Sequence, residues 1–316
     1  MNSPEQAQTI TMSPFARTAL RAEFWAKYGF PLVFVLIATL FAVSNPRFLT
    51  LDNFLLILLQ ASITAIAAIG AAMVFISGRI DISQGAVMAL SAAVCASIYT
   101  TLGLPEAVAM SLGVICGVGI GFLGGLLIEV ARIPAFIVTL AVLFIVRGAV
   151  LMALGGQSVL LPPGEASILR MLGNGRIGGV VPVVVVVAVV LFLVFEFILR
   201  RTTWGVHLYA VGSSAESAAR AGIRTLRLRV TAYSIAGGLS AFTGLVLLGR
   251  LGAAPSEFGM GQEFFIITAV VLGGVSVYGG KGKLWRGFRG SGHRSTTAHS
   301  ARWGASPQQT QLVAQP

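Results

Sequence analysis

The sequence predicts an all-α fold, a polytopic transmembrane helix bundle with about eight spans. Three observations predict it. Uncharged apolar runs of about 20 residues recur along the chain, each long enough to cross a bilayer as a helix. Only 10% of the 316 residues are charged and 56% are hydrophobic, whereas soluble domains carry roughly 25% charged residues. Glycine is abundant, at 38 residues, as suits membrane helices that pack closely. A β-barrel would show short alternating segments instead.

Residues 1–27 are polar, and Arg17, Arg21 and Lys27 precede the first apolar run. No small-residue cleavage site follows a short apolar core, so this segment reads as a cytoplasmic lead into an uncleaved anchor and not as a signal peptide. The predicted spans are 28–45, 54–76, 85–102, 107–128, 135–154, 180–199, 230–249 and 263–278. Pro46, Pro105, Pro134 and Pro182 stand at or near their boundaries, where proline starts or stops a helix cheaply. The run VVPVVVVVAVVLFLVF would suggest a strand in water. In lipid its uncharged length decides for a helix, because an open strand leaves backbone groups unpaired.

Lysine and arginine set the orientation. With the N-terminus inside, the inner segments hold Arg79, Arg132, Arg200, Arg201, Arg220, Arg224, Arg227 and Arg229 among others, and the outer ones only Arg47, Arg170, Arg176 and Arg250. That asymmetry predicts a cytoplasmic N-terminus. It also accounts for the net charge of +11 without nucleic acid. Cys95 and Cys116 lie in apolar runs without CxxC spacing or a nearby histidine, so they read as buried thiols and not as metal ligands or a disulfide. The outer connection 155–179 is rich in Gly and Pro and reads as a surface loop or a face for an external partner.

The inner connection 200–229 is more informative. Ser213-Ser214-Ala215-Glu216 fits a capping box, Gly222 is a natural stop, and Arg220 suits the C-terminal end of the helix dipole. These signals predict a helix over about 214–221, too short to stand alone. It must lie either in a groove on another protein or on the lipid headgroups.

No HExxH, GxSxG or GxxxxGK[ST] pattern is present, so the chain is not expected to be an enzyme and no cofactor or metal is expected in it. Few charges fall within spans. Glu196 sits near the inner boundary with Arg200, and Glu263 opens the last span. Arg147 lies about three turns into its span, and either lines a polar pathway or pairs with Glu129 or Asp81. Residues 78–85 break the helix between two spans, where Asp81 can cap the next helix and Arg79 and Asp81 can neutralise one another.

Four stretches are similar to one family. ISGRIDISQGAVMALSA resembles a family pattern Gly-Ile-Asp-Leu-Ser-Val-Gly followed by a small-residue helix. IPAFIVTLAVLFIVRGAVLMALGGQSV resembles its fifth span, YAVGSSAESAARAGI its cytoplasmic coupling segment, and VVLGGVSVYGGKGKLW a late Gly-rich segment. The family is the membrane permease subunit of bacterial ABC sugar importers of the ribose type, and the likeness covers about residues 25–285. Asp81, Ser83 and Gly85 match its helix-break motif, while Arg79 stands where Gly is frequent. The resemblance implies that Ser213, Ser214, Glu216, Ala218, Ala219, Arg220 and Gly222 couple to a cytoplasmic ATPase subunit. It also implies a second permease copy or paralogue, a periplasmic sugar-binding protein, and residence in the bacterial inner membrane. A monosaccharide or polyol would then cross along neutral polar groups, for which Gln60, Ser62, Thr64, Ser91 and Thr139 qualify by type.

The family pattern has about ten spans, so residues 28–285 form the predicted permease domain and the polar stretch 286–316 departs from it. That stretch has the composition of disorder, and a frameshift at the gene's end would explain it. The competing expectations are an ion-coupled secondary carrier, which would work alone, a truncated permease without activity, and a membrane scaffold.

Overall fold

The computed structural model describes residues 14–162 and 167–282. The predicted tail 286–316 lies outside the described residues. The elements are α1 (Pro14–Ser44), α2 (Leu51–Ile76), α3 (Gln84–Thr101), α4 (Glu106–Ala131), α5 (Ala135–Leu154), β1 (Val159–Leu160), α6 (Ile168–Asn174), β2 (Arg176–Ile177), β3 (Val181–Pro182), α7 (Val183–Arg201), α8 (Thr203–Ser213), α9 (Ala215–Arg220), α10 (Thr225–Leu251), β4 (Ala253–Ala254) and α11 (Gln262–Leu272). Helices α2, α3, α4, α5, α7 and α10 are each long and apolar enough to cross a membrane. The apolar part of α1, Pro31–Ser44, and α11 are shorter. The 11 residues of α11 rise only about 16 Å, roughly half the hydrocarbon thickness.

Helix α10 is the centre of the bundle and packs on α4, α2, α3 and α6. Glycine lets the α4 and α10 backbones touch. A Cβ on Gly121 would lie 2.2 Å from the Tyr233 carbonyl oxygen, and one on Gly237 would lie 2.2 Å from that of Gly117. Lipid supplies no hydrophobic drive between helices, so this close van der Waals fit and the hydrogen bonds below hold the bundle. The core residues follow the same axis, with Tyr233, Ile66, Phe75, Met88, Leu245 and Leu248 almost fully buried.

Several boundaries differ from the sequence reading. Helix α10 starts at Thr225, a turn before 230, because Leu228 and Arg229 are already buried. Helix α11 ends at Leu272, since Gly273-Gly274 turns the chain there and Gly274 has φ 82°. Helix α8 fills a stretch read as loop. Its Leu208 and Val211 are buried in the main core, while its length is too short for a periodic signal. Helix α6 was also hidden, within the Gly- and Pro-rich connection 155–179. Its N-terminus is capped across the fold by Glu106, whose carboxylate accepts from Ser167 Oγ at 2.6 Å, Ile168 N at 2.8 Å and Leu169 N at 2.7 Å. The two-residue strands only staple loops: Val159 pairs with Ala254, and Arg176 with Pro182, both antiparallel.

Candidate functional site

The helix break lies at 77–83 and runs through the protein interior. Tyr233 Oη donates to the Ile80 carbonyl at 2.9 Å, and Gly244 abuts the backbone of Met88. From the first contact to the second the chain climbs about eleven residues of α10, roughly 16 Å. Helix α3 therefore begins deep in the bundle. Irregular backbone at such depth must find partners within the protein, and α10 supplies them: Tyr233 at Ile80, and Arg229 Nε donating to the Ser77 carbonyl at 3.3 Å. Asp81, 4% exposed, accepts from Ser83 N at 2.9 Å and Ser83 Oγ at 2.6 Å, immediately before α3.

Arg79 and Asp81 do not neutralise one another. Arg79 reaches Glu129 at the end of α4, with Nε at 2.9 Å and Nη2 at 2.8 Å from Oε1. Arg229 Nη1 approaches the same carboxylate at 3.2 Å. One buried carboxylate thus serves two guanidiniums and ties together the break, α4 and α10. Asp81 is already committed to Ser83, which leaves Arg79 to find its partner across the bundle.

The N-termini of α3 and α11 meet. Gly259 and Gly261, with φ 70° and 78°, turn the chain into α11. A Cβ on Gly85 would sit 2.3 Å from Glu263 Oε2 and 2.5 Å from the Gly259 carbonyl oxygen. Glu263 and Gln84 are buried at 8% and 1% exposure, and neither Glu263 Oε2 nor the Gln84 amide has a hydrogen-bond partner among the described residues. Arg147 pairs with neither Glu129 nor Asp81. Its Nη1 donates to the Phe258 carbonyl at 2.5 Å. It thereby ties α5 to the turn preceding α11. Gly85→Ala is expected to push α11 from its seat and to destabilise the protein by about 1–3 kcal/mol, as overpacking does. Thermal unfolding of the purified variant in detergent measures it, and an unchanged midpoint would contradict this contact.

An apolar groove of about 460 Å³ runs between α2, α7 and α11, walled by Ala65, Ala68, Ala72, Phe192 and Ala269 with the Thr64 and Thr268 hydroxyls. It adjoins a more polar hollow of about 340 Å³ lined by Gln60, Arg250 and Gln262, sharing Thr64 and Phe265. Of the five residues proposed by type, Gln60 and Thr64 face this space. Ser62 and Thr139 bond to the Leu58 and Ala135 carbonyls of their own helices, and Ser91 is buried. Gln262 and Thr268 were missed, because nothing in a short apolar run says which side faces a groove.

In the α8–α9 connection, Thr202 Oγ1 accepts from Gly205 N at 3.3 Å and caps α8. The cap of α9 is Ser214, whose Oγ accepts from Ser217 N at 3.2 Å. Ser213 is not that cap. It is the last residue of α8, because α8 continues to the edge of the SS pair. Glu216 accordingly sits one position early for a capping box and pairs with Arg220 at i,i+4 instead. Both side chains of that pair are more than three-quarters exposed, so it contributes only a few tenths of a kcal/mol. Ala218 is buried against the bundle, while Glu216, Ala219 and Arg220 face outward, and Gly222 turns the chain at φ 81°.

Helix α8 is wedged by backbone contact. A Cβ on Gly212 would lie 1.8 Å from the Ile76 carbonyl oxygen, at the end of α2, and 2.6 Å from Gly280 N. Gly280 N donates to that same Ile76 oxygen at 3.0 Å, and Tyr209 Oη donates to the Gly282 carbonyl at 2.9 Å. The connection therefore touches two of the three helices that wall the groove, α2 directly and α11 through the turn that follows it. Neither Gly212 nor Tyr209 was singled out in the sequence, since a glycine in a helix carries no mark of what it touches. Among the described residues no three His, Cys, Asp or Glu side chains gather as a metal would need.

The family described as branched-chain amino acid transport system / permease component matches residues 53–280. The ribose import permease protein RbsC of Escherichia coli K12 is 35% identical over 251 residues, 79% of this chain and 77% of that protein. The RbsC of Haemophilus influenzae is 31% identical over 254 residues, 80% and 78% of the two chains. The fructose import permease protein FrcC of Rhizobium meliloti is 34% identical over 265 residues, 80% and 72%. No solved structure matches the chain significantly.

Proposed function

The chain belongs to the family of ABC-importer permeases described as the permease component of the branched-chain amino acid transport system, and we propose that it passes a monosaccharide or polyol across the bacterial inner membrane. The names of its relatives, import permeases for ribose and fructose, support the substrate class. The drive comes from a cytoplasmic ATPase, the substrate from a periplasmic binding protein, and a second permease copy or paralogue completes the path. The N-terminus lies in the cytoplasm, as the excess of Lys and Arg on that side supports.

The observation that carries this reading is the seat of Gly212 on Ile76 and Gly280. The exposed face of α9, with Glu216, Ala219 and Arg220, docks in a groove of the ATPase. When nucleotide closes the ATPase, α9 moves with it and α8 follows. Backbone-on-backbone contact leaves no flexible side chain to absorb the displacement, so the ends of α2 and α11 move and the groove between them opens or shuts. Helix α11 suits such a part, being short, packed along α2 and held at its N-terminus through Gly85 and the Arg147–Phe258 bond.

Ala219→Trp and Glu216→Lys are expected to weaken association with the ATPase at least ten-fold, about 1.4 kcal/mol, without loss of the permease from the membrane. Co-purification from membranes reads this, and full association of both variants would remove α9 from the coupling role. The purified chain alone in liposomes is expected to take up no sugar. Uptake driven by an ion gradient would identify a secondary carrier instead.

A further inference from the structure

Beside the docking face, at the foot of α10, lies a second cleft of about 390 Å³ lined by Trp204, His207, Gly222, Arg224, Arg227 and Thr231 with Ile223 and Leu228 behind them. Among the described residues no acidic one lines it. Arg224 and Arg227 are exposed, and neither side chain has a hydrogen bond or ion pair among the described residues. This sets them apart from Arg79, Arg200, Arg220 and Arg229, each of which has a carboxylate partner. Trp204 is half-buried and fixed by Nε1 donating to Thr231 Oγ1 at 3.1 Å. Two unpaired guanidiniums three residues apart on one helix end face the same side. They form a fork suited to phosphate oxygens.

We propose that this cleft binds the phosphate of an anionic phospholipid. The cleft stands at the N-terminal end of α10, a helix long and apolar enough to cross a membrane, and at such ends tryptophan and arginine meet headgroups. Above it, Thr231, Ile235, Gly238 and Phe242 recur at helical spacing along the strip of α10 that other helices leave partly uncovered. An acyl chain can lie along that strip while the headgroup sits between Arg224, Arg227 and His207. This needs only that α10 crosses the membrane, and stands or falls separately from the import reading.

The test uses the full chain in a nonionic detergent, with Trp25, Trp285 and Trp303 replaced by Phe so that only Trp204 emits. Short-chain phosphatidylglycerol is expected to change its fluorescence saturably, and short-chain phosphatidylcholine at the same concentrations is not. Inorganic phosphate separates the sources: no competition assigns the lipid, and competition at equal affinity assigns a free phosphate at the same anion site. The double variant Arg224→Gln/Arg227→Gln is expected to bind at least ten-fold more weakly. The double variant Arg224→Lys/Arg227→Lys keeps the charge but not the planar fork, and is expected to bind more weakly than the parent and more tightly than the Gln pair. No saturable change with either anion, equal binding of phosphatidylcholine, unaltered affinity in the Gln pair, or equal loss in the Lys pair would overturn the assignment.

Discussion

Replacing Glu129 by alanine is expected to lower stability by about 3–5 kcal/mol, the cost of leaving a buried charge unpaired. The Glu129 side chain is 8% exposed and that of Arg229 10%. Without the carboxylate, Arg229 keeps only the Ser77 carbonyl, and Arg79 loses its partner altogether. Two guanidiniums then face one another in a poorly solvated pocket. The damage spreads because the cluster pins the break at 77–83 to α4 and α10. Thermal unfolding of the purified protein in detergent measures the loss. Glu129→Gln keeps the shape and one acceptor oxygen and is expected to lose less. Replacing Glu129 by Leu and Arg229 by Met together is expected to cost less than Glu129→Ala, since only the partly exposed Arg79 is then left without its carboxylate. Equal stability of parent and Glu129→Ala would show that the cluster is solvated and energetically idle.

Gly212→Ala is expected to cost about 1–3 kcal/mol by overpacking and to reduce transport much more than that stability loss accounts for. The added methyl would lie 1.8 Å from the Ile76 carbonyl oxygen. No rotamer relieves a Cβ clash, so α8 must lift away from the end of α2 and disturb the Gly280–Ile76 hydrogen bond. The outward face of α9 is unaffected, so association with the ATPase should persist. In proteoliposomes holding the complete transporter, sugar uptake is expected to fall at least ten-fold, about 1.4 kcal/mol of coupling, while ATP hydrolysis continues. Normal uptake by Gly212→Ala would show that the motion travels by another route.

Both residues show where sequence reasoning stops. Glu129 enters the sequence reading only as a possible partner of Arg147, whereas its partners are 50 and 100 residues away along the chain. Asp81 and Arg79 stand two apart and invite a local pairing. The fold chose a local one for Asp81, with Ser83, and a distant one for Arg79. A distant ion pair has no sequence signature, because its partners share no period and no motif. The short helix after Ser213 was legible because capping chemistry is local. Its start was still misread by one residue, since SS offers two caps and the preceding helix α8 uses up the first.

What the sequence by itself determined is whatever lipid and local chemistry dictate: an all-α bundle, the approximate spans, and a small capped helix between α7 and α10. Those follow from run length, charge content and hydrogen bonds within a few residues. Only the tertiary structure decided that the break dives into the bundle, that Gly85 receives α11, that Gly212 rests on α2, and that Arg147 holds a backbone carbonyl. These are contacts between segments far apart along the chain, and their energy depends on which backbones approach within about 3 Å. Residue type permits such an approach at any of the chain's many glycines, and packing alone selects which partner each one meets.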